Sequence, residues 1–232
     1  MFKNIKIVGF DADDTLWVNE PFFKEIEEEF CNLLVEFLPK NEISNELFKT
    51  EVQNLNLYGY GVKAFVLSLI ETALKITNHK VSIQTIERII ELGKQQLEKP
   101  VILLDGIEDV LKKLSQHYKL IVATKGDLLD QERKLSKSGL EKYFHHIEIM
   151  SDKKESDYKK LLNHLEIKPE EFVMIGNSVK SDILPVINIG GQGIHIPFHM
   201  TWQHETQLEN DIHNKQYHTL ESVSDSLNLY NK

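Results

Sequence analysis

The chain has 232 residues, 41% hydrophobic and 27% charged, which is ordinary for a globular protein and leaves room for one large domain or a core with a smaller insert. Lys and Arg total 27 against 36 for Asp and Glu; the formal net charge of -9 argues against a general nucleic-acid or membrane-surface binder, though not against an anionic small molecule held by local lysines and a metal. The single cysteine, Cys31, rules out an internal disulfide, and no apolar stretch approaches the ~20 residues of a membrane span, so a cytoplasmic protein is expected.

The opening residues run directly into a strand, and no leader is expected. Ile5, Ile7, Val8 and Phe10 leave no polar face, the mark of a strand buried on both sides. Asp11, Asp13 and Asp14 follow at its carboxyl end, where open α/β sheets place their ligands. Three acids so close cost repulsion and desolvation unless a cation or a shared proton compensates, and Mg2+ is the sensible cation. A metal-held carboxylate there can also attack an electrophile and form an acyl-phosphate. Taken alone, the segment has a second and weaker reading, as a solvated turn or a helix cap.

Residues 17–99 read as wholly helical. Pro21 suits a first helical turn, and Phe22, Ile26, Phe30, Leu34 and Phe37 recur at helical spacing up to Pro39. Cys31 falls within this pattern as a small core residue. Ser44 is a candidate cap for a second helix carrying Phe48, Val52 and Leu55, which residues 58–61 (Tyr-Gly-Tyr-Gly) interrupt. Val62, Phe65, Val66, Leu69, Ile70, Ala73 and Leu74 form a broad apolar face on a third helix, and Ser82 caps a fourth with Ile86, Ile89, Ile90 and Leu97.

Strand and helix then alternate: a helix with Ile107, Val110, Leu111 and Leu114; a strand at 119–124; a polar helix closed near Gly139; a strand at 147–150; a helix with Tyr158, Leu161, Leu162 and Leu165; a strand at 172–175; a helix at 181–189; and a last strand at 193–197. Such alternation implies βαβ units and a parallel sheet. The expected architecture is a Rossmann-like α/β core, residues 1–16 and 100–232, with an inserted all-helical domain, residues 17–99.

Polar residues recur after each core strand. Thr124 and Lys125 follow the second, Asp152, Lys153 and Lys154 the third, and Gly176, Asn177, Ser178 and then Asp182 the fourth. A parallel sheet opens all these ends on one edge, so carboxylates, a hydroxyl, a lysine and an amide converge. Each has a bland reading: Thr124 as a helix cap, Lys153 as a solvated lysine, Asp182 as a first-turn acid. The four together, in order behind an acid-rich strand, are hard to ascribe to coincidence.

In this arrangement the sequence resembles the haloacid dehalogenase-like hydrolases. Asp11, Asp13 and Thr15 match the family's Asp-x-Asp-x-Thr, Thr124 its Ser/Thr, Lys153 or Lys154 its lysine, and Gly176 and Asp182 its Gly-Asp-x-x-x-x-Asp, with Asn177 in the first acidic place. The resemblance implies a Mg2+-dependent phosphatase acting on a small phosphorylated metabolite, as a monomer or homodimer. Asp11 is then the nucleophile, Asp13 the general acid and base, Lys153 a charge-balancing catalytic residue and Thr124 a phosphoryl ligand. Asp11, Asp13 (through its carbonyl), Asn177 and Asp182 would hold the metal, more weakly than usual because an amide brings no charge. The helical insert resembles the family's type 1 cap, with Tyr58 and Tyr60 as substrate contacts; Lys125 either touches phosphate or points to solvent, the latter slightly preferred. Rival readings are a dehalogenase, disfavoured by Asp13; a phosphonate hydrolase, needing a Schiff-base lysine for which Lys63 is the candidate; and a non-catalytic phosphometabolite-binding protein. His195, His199 and His204 straddle Pro197 and read as surface residues, not a metal cluster.

Overall fold

The computed structural model describes residues 4–206 and 217–227 of the chain. It divides into two compact units, one drawn from Met1–Glu20, Val101–Lys125 and Glu132–Lys232, the other from Pro21–Pro100 and Gly126–Gln131.

The first unit is the expected α/β fold around a parallel sheet. Six strands, β1 (Ile7–Phe10), β2 (Lys119–Lys125), β3 (His146–Met150), β4 (Phe172–Gly176), β5 (Gln192–His195) and β6 (His218–Thr219), lie in the order β3-β2-β1-β4-β5-β6, every pair parallel. β1 and β4 are buried along their whole length, which is why their sequences carry no polar alternation. Side-chain alternation divides the core in two. Val8, Phe10, Val122, Val173 and Ile175 face one layer with α5 (Ile107–Leu114), while Ile7, Ile121, Ala123, Phe172 and Met174 face the other with α7 (Glu155–His164). β1 pairs with β2 on one side and β4 on the other, so the chain changes direction of travel across the sheet at β1 and β4. Such a switch point opens a crevice at the carboxyl ends of the strands.

The second unit holds α2 (Lys40–Tyr58), α3 (Val62–Ile76), α4 (Ile83–Glu98) and all but the first residue of α1 (Glu20–Leu34). Its core joins Ile26, Phe30, Leu34, Ile43, Leu47, Phe65, Leu69, Ile89 and Leu92. Cys31 is buried there, and burial pushes its thiol up to about 11, so it is a packed residue and not a nucleophile. Ser82 does cap α4, its hydroxyl accepting from the Thr85 amide at 3.0 Å.

Ser44 does not cap α2. That helix starts four residues earlier, behind Pro39, whose carbonyl accepts from the Glu42 and Ile43 amides, and the Ser44 hydroxyl donates to Glu27 instead. The buried face of α2 is accordingly Ile43, Leu47, Thr50 and Asn54, with Phe48, Val52 and Leu55 only half-buried. The helix expected at 181–189 is a π-helical turn, Val179–Ile183, followed by the short α8 (Leu184–Asn188). β5 ends at His195; the Ile196 amide makes one more bond, to the Gly176 carbonyl, and Pro197 has no amide with which to continue. Among the described residues no helix is long and apolar enough to cross a membrane.

Candidate active site at the strand ends

Asp11 is the first residue past β1, and its amide continues the pairing by donating to the Ile175 carbonyl of β4 at 2.9 Å. That bond fixes the Asp11 carboxylate at the switch point, with only 9% of the side chain exposed. Lys153 reaches it from the loop after β3. Its ammonium donates to Asp11 Oδ1 and, at 2.6 Å, to Asp182 Oδ1. Residues 142 and 29 positions from Lys153 thus share one buried cation.

The electrostatics follow from burial. Burial and the adjacent Asp182 push the Asp11 carboxyl up to about 7 against the pull of Lys153. Burial also works against the charge on Lys153, but Asp11 and Asp182 outweigh it and keep the ammonium more firmly protonated than an ordinary lysine. The neighbouring Lys154 is exposed and pairs with Asp152 at 3.0 Å, so of the two candidate lysines only Lys153 lies beside Asp11.

Asp182 comes from the π-helical turn, and its Oδ2 accepts from the Ser178 amide at 3.0 Å. The wide turn works because Gly176 has no side chain: a Cβ there would stand 2.2 Å from Asp182 Oδ2. The Thr15 hydroxyl lies 3.2 Å from Asp11 Oδ2 and 3.4 Å from Asn177 Oδ1, which brings Asn177 to the edge of the same group. Thr124 is buried near the end of β2, two residues beyond Val122, the register partner of Phe10.

The other two acids of the first loop have separate partners. The Asp14 carboxylate accepts from the amides of Asn19 and Glu20 and so ties down the start of α1; burial pushes it up to about 7. Asp13 Oδ1 accepts from Trp17 Nε1 and from Lys134 Nζ, each at 2.7 Å.

Lys125 does not point to solvent. Only 16% of its side chain is exposed, and it donates to Glu205 at 2.7 Å and Ser181 at 2.9 Å. Glu205, from α9 (Gln203–Thr206), also accepts from the Ser178 and Ser181 hydroxyls. Burial raises its proton affinity, but Lys125 and the two hydroxyls outweigh that and bring it down to about 2. Neither Glu205 nor Lys134 belongs to a motif, and no periodicity marks them. A buried acid among polar neighbours gives no local signal in sequence.

Tyr58 and Tyr60 belong to the helical unit, where the Tyr58 hydroxyl donates to Glu71 at 2.8 Å. Lys63 is exposed and pairs with Asp127 at 2.8 Å, the opposite of the apolar burial that activates a Schiff-base lysine. His195 meets the Asn177 carbonyl at 3.0 Å, His204 contacts Lys180, and His199 stacks on Phe198, so the three form no cluster.

The oxygen donors offered by Asp11, Asn177 and Asp182 suit a hard cation. Mg2+ takes one or two carboxylates and keeps several waters, and two buried carboxylates beside one lysine leave residual negative charge for it. Among the described residues no group of three or more His, Cys, Asp or Glu side chains is placed to hold a metal ion.

Residues 5–190 match the family model described as haloacid dehalogenase-like hydrolase. A haloacid dehalogenase-like family hydrolase from Xanthomonas campestris is 34% identical and superposes with a TM-score of 0.87 over 98% of this chain and 91% of that one. A HAD hydrolase from Bacillus subtilis, solved bound to magnesium, has the same fold at 16% identity, with a TM-score of 0.67 over 99% of this chain and 100% of that one. The mouse N-acylneuraminate-9-phosphatase is 28% identical over 104 residues, 43% of this chain and 42% of that protein's length. With the family model covering most of its length and this site at its sheet edge, the chain belongs to the haloacid dehalogenase-like hydrolases.

Proposed function

We propose that the protein is a Mg2+-dependent phosphatase that hydrolyses a small phosphorylated metabolite through an aspartyl-phosphate on Asp11. The observation that carries this reading is the buried contact of Lys153 with both Asp11 and Asp182, with a third carboxylate, Asp13, two residues after Asp11. Asp11 attacks phosphorus and the bond to the leaving oxygen breaks, while Asp13 gives that oxygen a proton. Asp13 then takes a proton from the water that cleaves the aspartyl-phosphate, releasing phosphate and restoring Asp11. Lys153 offsets the charge that builds between Asp11 and the phosphoryl group, and Thr124 donates a hydrogen bond to a phosphoryl oxygen.

Asp11, the Asp13 carbonyl, Asn177 and Asp182 would hold Mg2+, which when bound screens the phosphoryl charge from the attacking carboxylate. A dehalogenase has no use for Asp13, because a departing halide needs no proton; this favours a phosphate ester. The phosphatase among the relatives supports the same choice. Residues 17–99, of which 21–99 fall in the helical unit, are proposed as a cap in which Tyr58 and Tyr60 contribute to substrate choice, and the setting as cytoplasmic, in keeping with one unpaired cysteine. The test is a screen of phosphate monoesters with and without Mg2+. The expected result is Mg2+-dependent phosphate release that Asp11→Asn abolishes; release that survives the substitution would exclude Asp11 as nucleophile.

A further inference from the structure

The carboxylate of Glu205 closes a ring of contacts. Lys125 Nζ donates to its Oε1 at 2.7 Å and to Ser181 Oγ at 2.9 Å, while the Ser178 and Ser181 hydroxyls donate to its Oε2. The ring joins two flanks of the candidate active site. Lys125 directly follows Thr124 at the end of β2, and the serines belong to the π-helical turn and its cap, from which Asp182 reaches Lys153. β2 and β4 are not neighbours: β1 lies between them, with Asp11 at its end. Strands two apart in a sheet stand about 10 Å from each other, so no backbone bond joins them and only long side chains can bridge the gap. Other bonds set the shape of the turn, the Ser181 amide donating to Ser178 Oγ at 3.0 Å and the buried Tyr158 hydroxyl to the Ser181 carbonyl at 3.2 Å. The ring through Glu205 adds a tie from that turn to the end of β2.

From this geometry we infer that Glu205 is a positioning residue of the active site. Through Lys125 and the two serines it sets the span, across the end of β1, between Thr124 on one flank and the Asp182–Lys153 pair on the other, and so the width open to a phosphoryl group. The inference rests on the phosphatase reading for the identity of that group, and it extends the site to a residue outside the four motifs. Charge alone predicts the opposite effect. Glu205 brings a negative charge to this end of the sheet and neutralises Lys125, so its removal would by charge strengthen the binding of an anion. Removing a group that holds the two flanks at the right distance weakens binding instead.

The opposite signs supply the test. Inorganic phosphate is titrated by calorimetry into the Mg2+-loaded wild-type protein, Glu205→Gln and Ser181→Ala, at a temperature where circular dichroism shows each protein folded. The phosphate Kd is expected to rise roughly tenfold in Glu205→Gln, the low end of what loss of a residue orienting the binding groups costs, and by a smaller factor in Ser181→Ala. Ser181→Ala keeps every charge and the Lys125–Glu205 pair, so it decides the matter should Glu205→Gln not fold. An unchanged or lower Kd in Glu205→Gln, or in Ser181→Ala where only that variant folds, overturns the assignment and leaves the phosphatase reading intact. A wild-type protein that binds no phosphate also overturns it. Hydrolysis of 4-nitrophenyl phosphate is assayed alongside: a wild-type protein that binds phosphate but turns over no ester removes the phosphatase reading, while the Kd values still support or overturn the role of Glu205.

Discussion

Two buried carboxylates face one buried ammonium at the switch point, and that imbalance has a cost. Asp11 is the less comfortable of the pair, pushed up to about 7 by burial and by Asp182. Replacing it with Asn keeps the shape and an oxygen to accept from Lys153, while leaving Lys153 and Asp182 as a balanced pair at 2.6 Å. Asp11→Asn is therefore expected to raise the Tm of the metal-free protein, by about 2–4 °C for each kcal/mol relieved in a chain of this size, even as it abolishes turnover. A lower Tm in differential scanning calorimetry would mean that Lys153 depends on Asp11 more than Asp11 burdens the fold. The same residues mark how far single positions were legible. Asp11, Lys153, Asn177 and Asp182 lie together because a parallel sheet aligns the ends of its strands, a rule that sequence order carries. Lys153 and Lys154 could not be separated in advance, because which of two adjacent lysines turns inward depends on the path of a loop. Glu205 was beyond reach for a stronger reason: its partner Lys125 is 80 residues away, and nothing in its own segment repeats.

At the scale of elements, periodicity located β1 to β5 and the helices up to α8, but the strand at 193–197 is not the last, since α9 and the two-residue β6 follow it and are too short to carry a periodic pattern. The face of α2 was misread because Thr50 and Asn54 are buried polar residues, the latter donating to Ser68 and Glu71 of α3 at 3.1 Å. A pattern that counts only apolar residues assigns such a helix the wrong face. The π-helical turn Val179–Ile183 escaped in another way, since a widened turn differs from an α-helix by one residue of spacing. Its consequence is chemical: it folds Asp182 back over Gly176, onto the bond from the Ser178 amide. Gly176→Ala puts a methyl group where Asp182 Oδ2 already stands, 2.2 Å from the new carbon. Side chain or backbone must move, so the expected cost is about 1–3 kcal/mol of stability, together with loss of the Asp182 contact to Lys153. Urea unfolding measures the first. Weaker Mg2+ dependence of phosphate release reports the second, and normal values of both would show that the turn relaxes without disturbing the carboxylate.

For the molecule as a whole, the alternation of apolar strands and amphipathic helices was enough to set an α/β fold, because burial on both faces leaves strands such as β1 and β4 no other composition. The way β5 and the segment beyond it are fastened to the rest was not legible, and there Glu205 is the central group. It gathers Lys125 from the end of β2 with Ser178 and Ser181 from the start of the π-helical turn after β4, joining three stretches of chain through one carboxylate. Its pKa falls from the ordinary 4.5 to about 2, so the folded state binds the ionised form preferentially. The stabilisation is complete above the unfolded value of 4.5 and disappears as the pH drops through the folded value near 2; at neutral pH it amounts to roughly 3 kcal/mol at most. Glu205→Gln should accordingly destabilise the protein most above about pH 5, where it also leaves the largely buried Lys125 without its counter-charge, and progressively less toward pH 3. Urea denaturation of both proteins across that range measures the difference directly. A gap that stayed constant with pH would mean that Glu205 acts through its shape and hydrogen bonds alone and adds nothing to the pH dependence of stability.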